Sequence, residues 1–100
     1  MDDLEKMKAG LWLHAIRPQI GEALRRAEEL VFELNRLAPS RREEREAIIR
    51  RLFGRIGRDF TIHSPFHCDF GEQISIGDHF VGNFNLTILD EAPVTIGDHV

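Results

Sequence analysis

Apolar residues recur at helical spacing through the first half of the chain and at strand spacing through the second. Leu4, Met7 and Leu11 fall at i, i+3 and i+7 behind Asp2 and Asp3, whose charges suit the positive end of a helix dipole. A short first helix is predicted there, ended or loosened by Gly10. Pro18 suits the first position of a second helix, where its missing N–H wastes no bond, and Ile20, Leu24, Ala27, Val31 and Leu34 then form one stripe, closed by Ala38 and Pro39. A third helix is predicted to start at "SRRE". There the Ser40 hydroxyl can cap a free amide and Glu43 can reach back to the cap residue. Ile48, Ile49, Leu52, Phe53 and Ile56 would be its apolar face, with Gly54 or Gly57 as the stop.

From Phe60 onward the helical stripe is gone. Short β-branched groups, "FTI", "ISI", "LTIL" and "VTI", alternate with Gly, Asp, Asn, His and Pro. The diagnostic feature is a repeat: Ile76-Gly77-Asp78-His79 returns unchanged as Ile96-Gly97-Asp98-His99. Between the copies Gly82, Ile88 and Val94 continue a six-residue count from Ile76, so a small or aliphatic residue returns wherever the chain would turn inward. This rhythm predicts a parallel β-helix with three short faces per coil. Three six-residue faces would make a coil of about eighteen residues, and the observed offset of 20 adds two. A small corner loop near Asp90–Pro93 accommodates them, Pro93 setting the backbone for re-entry into the next strand.

A chain of 100 residues is one small domain, able to bury only about 60–65% of its unfolded surface. With 42% apolar and 30% charged residues it reads as an ordinary soluble globular chain, not a disordered or fibrous one. The net charge of −4 is less informative than its distribution: residues 1–58 hold all 13 Lys and Arg, and residues 59–100 hold none. The arginines from Arg41 to Arg58 are interleaved with Glu43, Glu44 and Glu46, which predicts a solvated helix face and no nucleic-acid partner. Cys68 is the only cysteine, so no intrachain disulfide can form. The charged N-terminus and the lack of a long apolar run predict a cytoplasmic protein with no membrane partner. His63, His67 and Cys68 are only three candidate ligands where a closed zinc site takes four, so no metal is expected.

Three stretches together resemble the N-terminal portion of the maltose and galactoside O-acetyltransferases of the hexapeptide-repeat acyltransferase superfamily. These are "KMKAG", "RRLFGRIG" and "PFHCDFGEQISIGDHFVGNFNLTILDEAPVTIGDHV". The resemblance implies an α+β architecture, with a helical module over 1–58 and the first coils of a left-handed parallel β-helix over 59–100. It also implies a homotrimer once the β-helix is completed. The reaction it implies moves an acetyl group from acetyl-CoA, a co-substrate and not a tightly bound cofactor, to a sugar hydroxyl. In the family the general base is a histidine in a Thr or Gly-His-Pro context on a later coil. None of His14, His63, His67, His79 or His99 stands in that motif, so no catalytic residue is assigned. The coenzyme A-binding amides of the family likewise come largely from later coils and a neighbouring subunit. What carries over is the acceptor side: Asp69 in "HCDF", Asn83 in "GNFN" and Glu91 in "LDEA". Where relatives place an acidic residue after "AG", this chain has "AGLWLHA" with His14 and Ala15, which implies a different acceptor preference. Without the resemblance, Asp69 would read as a turn cap, Asn83 as a corner residue bonded to nearby backbone, and His79 and His99 as solvent-facing.

A β-helix needs about three or more repeats and a cap, and an unpaired last coil invites association. The expectation is therefore a fragment or prematurely ended product of a sugar O-acetyltransferase, with little or no turnover. The alternative is a non-catalytic assembly or interaction module.

Overall fold

The computed structural model describes residues 17–100. The predicted first helix and the His14-Ala15 position lie outside the described residues. Helix α1 spans Pro18–Arg36, with proline in its first turn, and helix α2 spans Arg42–Leu52. The inner stripe of α1 centres on Ala27, Leu30 and Leu34, with Leu24 and Val31 half-buried on its flanks. These side chains meet Ile48, Ile49 and Leu52 of α2 in one apolar cluster that continues into the strands. Burying a Leu or Ile side chain fully contributes about 1.5–3 kcal/mol.

Two local expectations are corrected. Ser40 does not cap α2: the Arg41 N–H closes a turn onto the Ala38 carbonyl at 3.0 Å, which leaves Ser40 inside that turn and one residue too early. Arg41 precedes the helix instead and its guanidinium pairs with Glu44. Ile56 is not on the third helix either. Phe53 turns extended (ψ 149°), ending the helix at Leu52, and Ile56 belongs to the first strand.

Seven short strands follow: β1 (Arg55–Ile56), β2 (Thr61–Ile62), β3 (Phe66–Cys68), β4 (Ile74–Ile76), β5 (Val81–Gly82), β6 (Leu86–Ile88) and β7 (Val94–Ile96). They form three parallel sheets, β1-β4-β7, β2-β5 and β3-β6. Partners sit 20 residues apart throughout: Ile56 on Ile76, Ile76 on Ile96, Thr61 on Val81, Phe66 on Leu86. This is a parallel β-helix with three faces, and its interior is a set of vertical columns. Phe60 stands over Phe80, Cys68 over Ile88, and Ile62 over Gly82. A Cβ at Gly82 would press on the Leu86 and Phe80 side chains, at 2.9 Å and 3.1 Å, and would need them to shift. The two residues beyond the minimal coil fall between β6 and β7, in 89–93, and also one coil earlier in 69–73.

The first coil presents strand edges to the helices, and each face meets one polar side chain from them. Asn35 donates to the Phe66 carbonyl and accepts from the Phe66 N–H, both at 2.9 Å, as a neighbouring strand would. The buried Arg45 donates to the carbonyls of Ile62 and Leu34 at 2.9 Å each. Arg50 donates to those of Ile56 and Gly57 at 3.2 Å, with its guanidinium 5.1 Å from the Phe60 ring centre.

Between coils, the repeated Gly-Asp corner forms a ladder. Asp98 Oδ1 accepts from the Asp78 N–H at 2.7 Å, and Asp78 Oδ1 accepts from the Arg58 N–H at 2.9 Å. Gly77 is required for this approach, because a Cβ there would collide with the Asp98 carboxylate. His79 and His99 follow in the left-handed region (φ 59° and 58°), their rings stacked 4.7 Å apart.

Asn35→Asp keeps the acceptor but turns the donor into a carboxylate oxygen facing the Phe66 carbonyl. We expect a loss of about 1–3 kcal/mol, read by calorimetry as a melting point lower by at least roughly 4 °C. An unchanged midpoint would remove Asn35 from the cap. The Asp78 carboxyl is held below its ordinary range, first by the Arg58 N–H and then by the Arg58 charge. Its folded-state pKa is lower than its unfolded one, so its contribution is present above about pH 4 and is lost as pH falls through the depressed value. Asp78→Asn should make the fall in melting temperature on acidification shallower; an identical acid limb would contradict this.

Candidate acceptor site

The two corner loops, 69–73 after β3 and 89–93 after β6, are stacked, and one residue joins them. Asp90 is fully buried at the place where Phe70 stands one coil earlier. Its Oδ1 accepts from the N–H groups of Asp69 (3.2 Å) and Phe70 (2.9 Å), and its Oδ2 from that of Gln73 (3.3 Å). Its main-chain oxygen accepts from Gln73 Nε2 at 2.8 Å. The sequence places Asp90 at the start of the corner loop without marking it as a residue of the site. The available signal was the 20-residue offset, which sets a carboxylate below an aromatic residue in the one corner that carries the additional residues.

The expected acceptor residues divide between two corners. Asp69 is half-buried on the first loop and Glu91 is exposed on the second, so these two share a corner. Asn83 is exposed at the other end of the β3-β6 sheet, and its Oδ1 accepts from the Phe84 N–H at 2.8 Å. Its local bond is the one a corner-turning asparagine makes, and its Nδ2 donors remain for another partner. Between these ends the outward row of the sheet consists of His67 directly over Thr87. A polar strip thus runs along one face of the β-helix, from Asn83 past Thr87 and His67 to Asp69 and Glu91. Between helix α1 and β3 lies a groove of about 480 Å³ whose lining includes Val31, Phe32, Arg36, His67 and Cys68; of the strip residues only His67 borders it.

Cys68 is not a nucleophile at neutral pH. Burial, with the charges of Asp90 and Asp69 adding to it, pushes its thiol up to about 12. The three residues weighed as metal ligands do not converge: His63 packs on Phe84 with ring centres 4.7 Å apart, His67 points outward, and Cys68 stands over Ile88. Among the described residues no group of three His, Cys, Asp or Glu side chains is arranged to hold a metal. Nor, among them, is any helix long and apolar enough to cross a membrane.

Comparison with known proteins gives this geometry a lineage. Residues 6–57 match the maltose acetyltransferase hexapeptide capping motif. The chain is 36% identical to galactoside O-acetyltransferase of Escherichia coli K12 over 96 residues, which are 96% of this chain and 47% of that protein. It is 42% identical to nodulation protein L of Rhizobium meliloti over 94 residues, covering 94% of this chain and 51% of that one. A hexapeptide-repeat acetyltransferase from Vibrio cholerae O1 biovar eltor, solved with acetyl coenzyme A, superposes with a TM-score of 0.78. That match is at 42% identity and covers 83% of this chain and 44% of that one. The coil is therefore the start of the left-handed β-helix of hexapeptide-repeat acetyltransferases, and the chain spans about half the length of the curated relatives it matches. With its capping helices and first coils in that order, the chain belongs to the maltose acetyltransferase capping-motif family, in the sugar O-acetyltransferase lineage.

Proposed function

We propose that this chain carries the acceptor side of an acetyl-CoA-dependent sugar O-acetyltransferase, with Asp69, Asn83 and Glu91 as its sugar-binding residues. The observation that carries the reading is the polar strip along β3-β6, which sets two carboxylates and an amide at its ends with a hydroxyl and an imidazole between them. Such groups are the natural partners of sugar hydroxyls, as each can accept from or donate to a vicinal diol.

In the reaction, the sugar oxygen attacks the thioester carbonyl, a C–O bond forms, the C–S bond breaks, and the hydroxyl proton passes through a general base to the departing sulfur. This chain's part is to orient the hydroxyl. His79 and His99 are stacked on each other at the Gly-Asp corner and His63 is packed on Phe84, while His67 lies on the strip itself; none of them, nor His14, stands in the Thr or Gly-His-Pro context that the resemblance gives the base. The base is assigned to sequence outside these 100 residues. The reading includes a cytoplasmic homotrimer. Val81 and Phe84, 62% and 64% exposed, supply apolar surface for such an assembly and also favour the second reading, a module that only associates.

The test combines acetyl-CoA consumption with direct sugar binding, using maltose, glucose and methyl β-galactoside, with size read by light scattering. We expect no turnover above background and saturable binding of at least one sugar. Asp69→Asn should weaken that binding roughly tenfold, as loss of one charged hydrogen bond would, and Asn83→Ala should weaken it too. An unchanged affinity in the Asn83 variant would return that residue to a purely corner-turning role. Turnover would place the base within this chain. A discrete oligomer that binds none of the sugars would leave the assembly module standing.

A further inference from the structure

We infer that Asp90 is the positioning residue of the acceptor site, fixing Asp69 and Glu91 relative to each other; this inference rests on the acceptor reading above. Its carboxylate grips the 69–73 loop at both ends, by the amides of Asp69 and Phe70 at the start and of Gln73 at the finish. Gln73 Nε2 returns the contact to the main chain of Asp90 itself. Glu91 is the next residue in the chain, so one side chain sets the backbone that aims each of the two carboxylates.

Burying a carboxylate completely is costly unless its lone pairs are met, and an apolar residue of similar size would cap the column beneath Phe70 without that cost. An apolar residue would not, however, define where the Asp69 amide lies. An asparagine at position 90 can meet only part of the set. Its oxygen can serve Asp69 and Phe70 while its NH₂ faces the Gln73 N–H, or the reverse, and either arrangement frees one end of the loop.

The experiment uses the whole chain, unmodified and as Asp90→Asn. It measures hydrogen exchange at the amides of Asp69, Phe70 and Gln73 by NMR, the melting point, and affinity for maltose, glucose and methyl β-galactoside well below melting. Arg50→Met is the control, because it removes the cap over β1 and lowers stability at a distance from the loops. Asp90→Asn should speed exchange at one or more of the three amides and weaken sugar binding about tenfold. Arg50→Met should lower the melting point and leave affinity as it was. If Asp90→Asn does not fold, Gln73→Ala, which removes only the bond to the Asp90 main-chain oxygen, should show the same selective loss to a smaller degree. Freed amides with unchanged affinity would overturn the inference while the acceptor reading stands. Equal loss of affinity in the Arg50 control would also overturn it, reducing Asp90 to a stabilising role. If the unmodified chain binds none of the sugars, the acceptor reading fails and this inference with it.

Discussion

A β-helix grows by pairing each coil with the next, so its first coil always has one side with no strand to pair with. In this chain that edge is closed by side chains rather than by backbone. Asn35 reproduces a strand's donor and acceptor against Phe66, Arg45 ties Ile62 to the end of α1, and Arg50 covers Ile56 and Gly57. Each of the three faces of the coil is met once. The rest of the fold depends on this closure, because the columns below it repeat what the first coil establishes. It also accounts for part of the charge partition: a guanidinium has donors for several carbonyls at fixed angles, and two of the arginines in residues 1–58 are spent on this edge.

Below the cap, register is maintained by carboxylates that reach back one coil. Asp98 holds the Asp78 amide, Asp78 holds the Arg58 amide, and Asp90 holds three amides of the loop above it. A one-residue slip would cost all of these bonds together and would turn the inner aliphatic residues outward. Short strands of two or three residues have little pairing energy of their own, so these side-chain bonds and the interior columns carry the specification.

Much of this was legible in the sequence because periodicity is a local signal. The six-residue count found the β-helix, the helical stripes found α1 and α2, and the surplus of two residues found the corner near Asp90–Pro93. What could not be read depended on partners far away in the chain. Nothing near Asn35 announces that its amide will meet Phe66, 31 residues on. Ser40 and Glu43 had the spacing of a capping box, yet the Ala38–Arg41 turn displaced the helix start. Ile56 fitted a helical face until the extended Phe53 ended α2. The proposed acceptor residues came from the resemblance; what the structure adds is their division between the two ends of one sheet.

The corners differ in how much freedom each has. At the Gly-Asp corner the backbone passes so close to the coil below that Gly77 cannot carry a side chain, and the ring at position 79 is stacked on the one at position 99. Such a corner has no latitude to direct a side chain toward a ligand. The 69–73 and 89–93 corners have two residues more and can, but additional residues would also let the loop wander. A buried carboxylate with three amide donors removes that latitude while leaving Asp69 half-buried and Glu91 exposed. Length gives the corner its reach and Asp90 holds its backbone, which on the proposed acceptor reading suits this corner, and not the repeated one, to present Asp69 and Glu91.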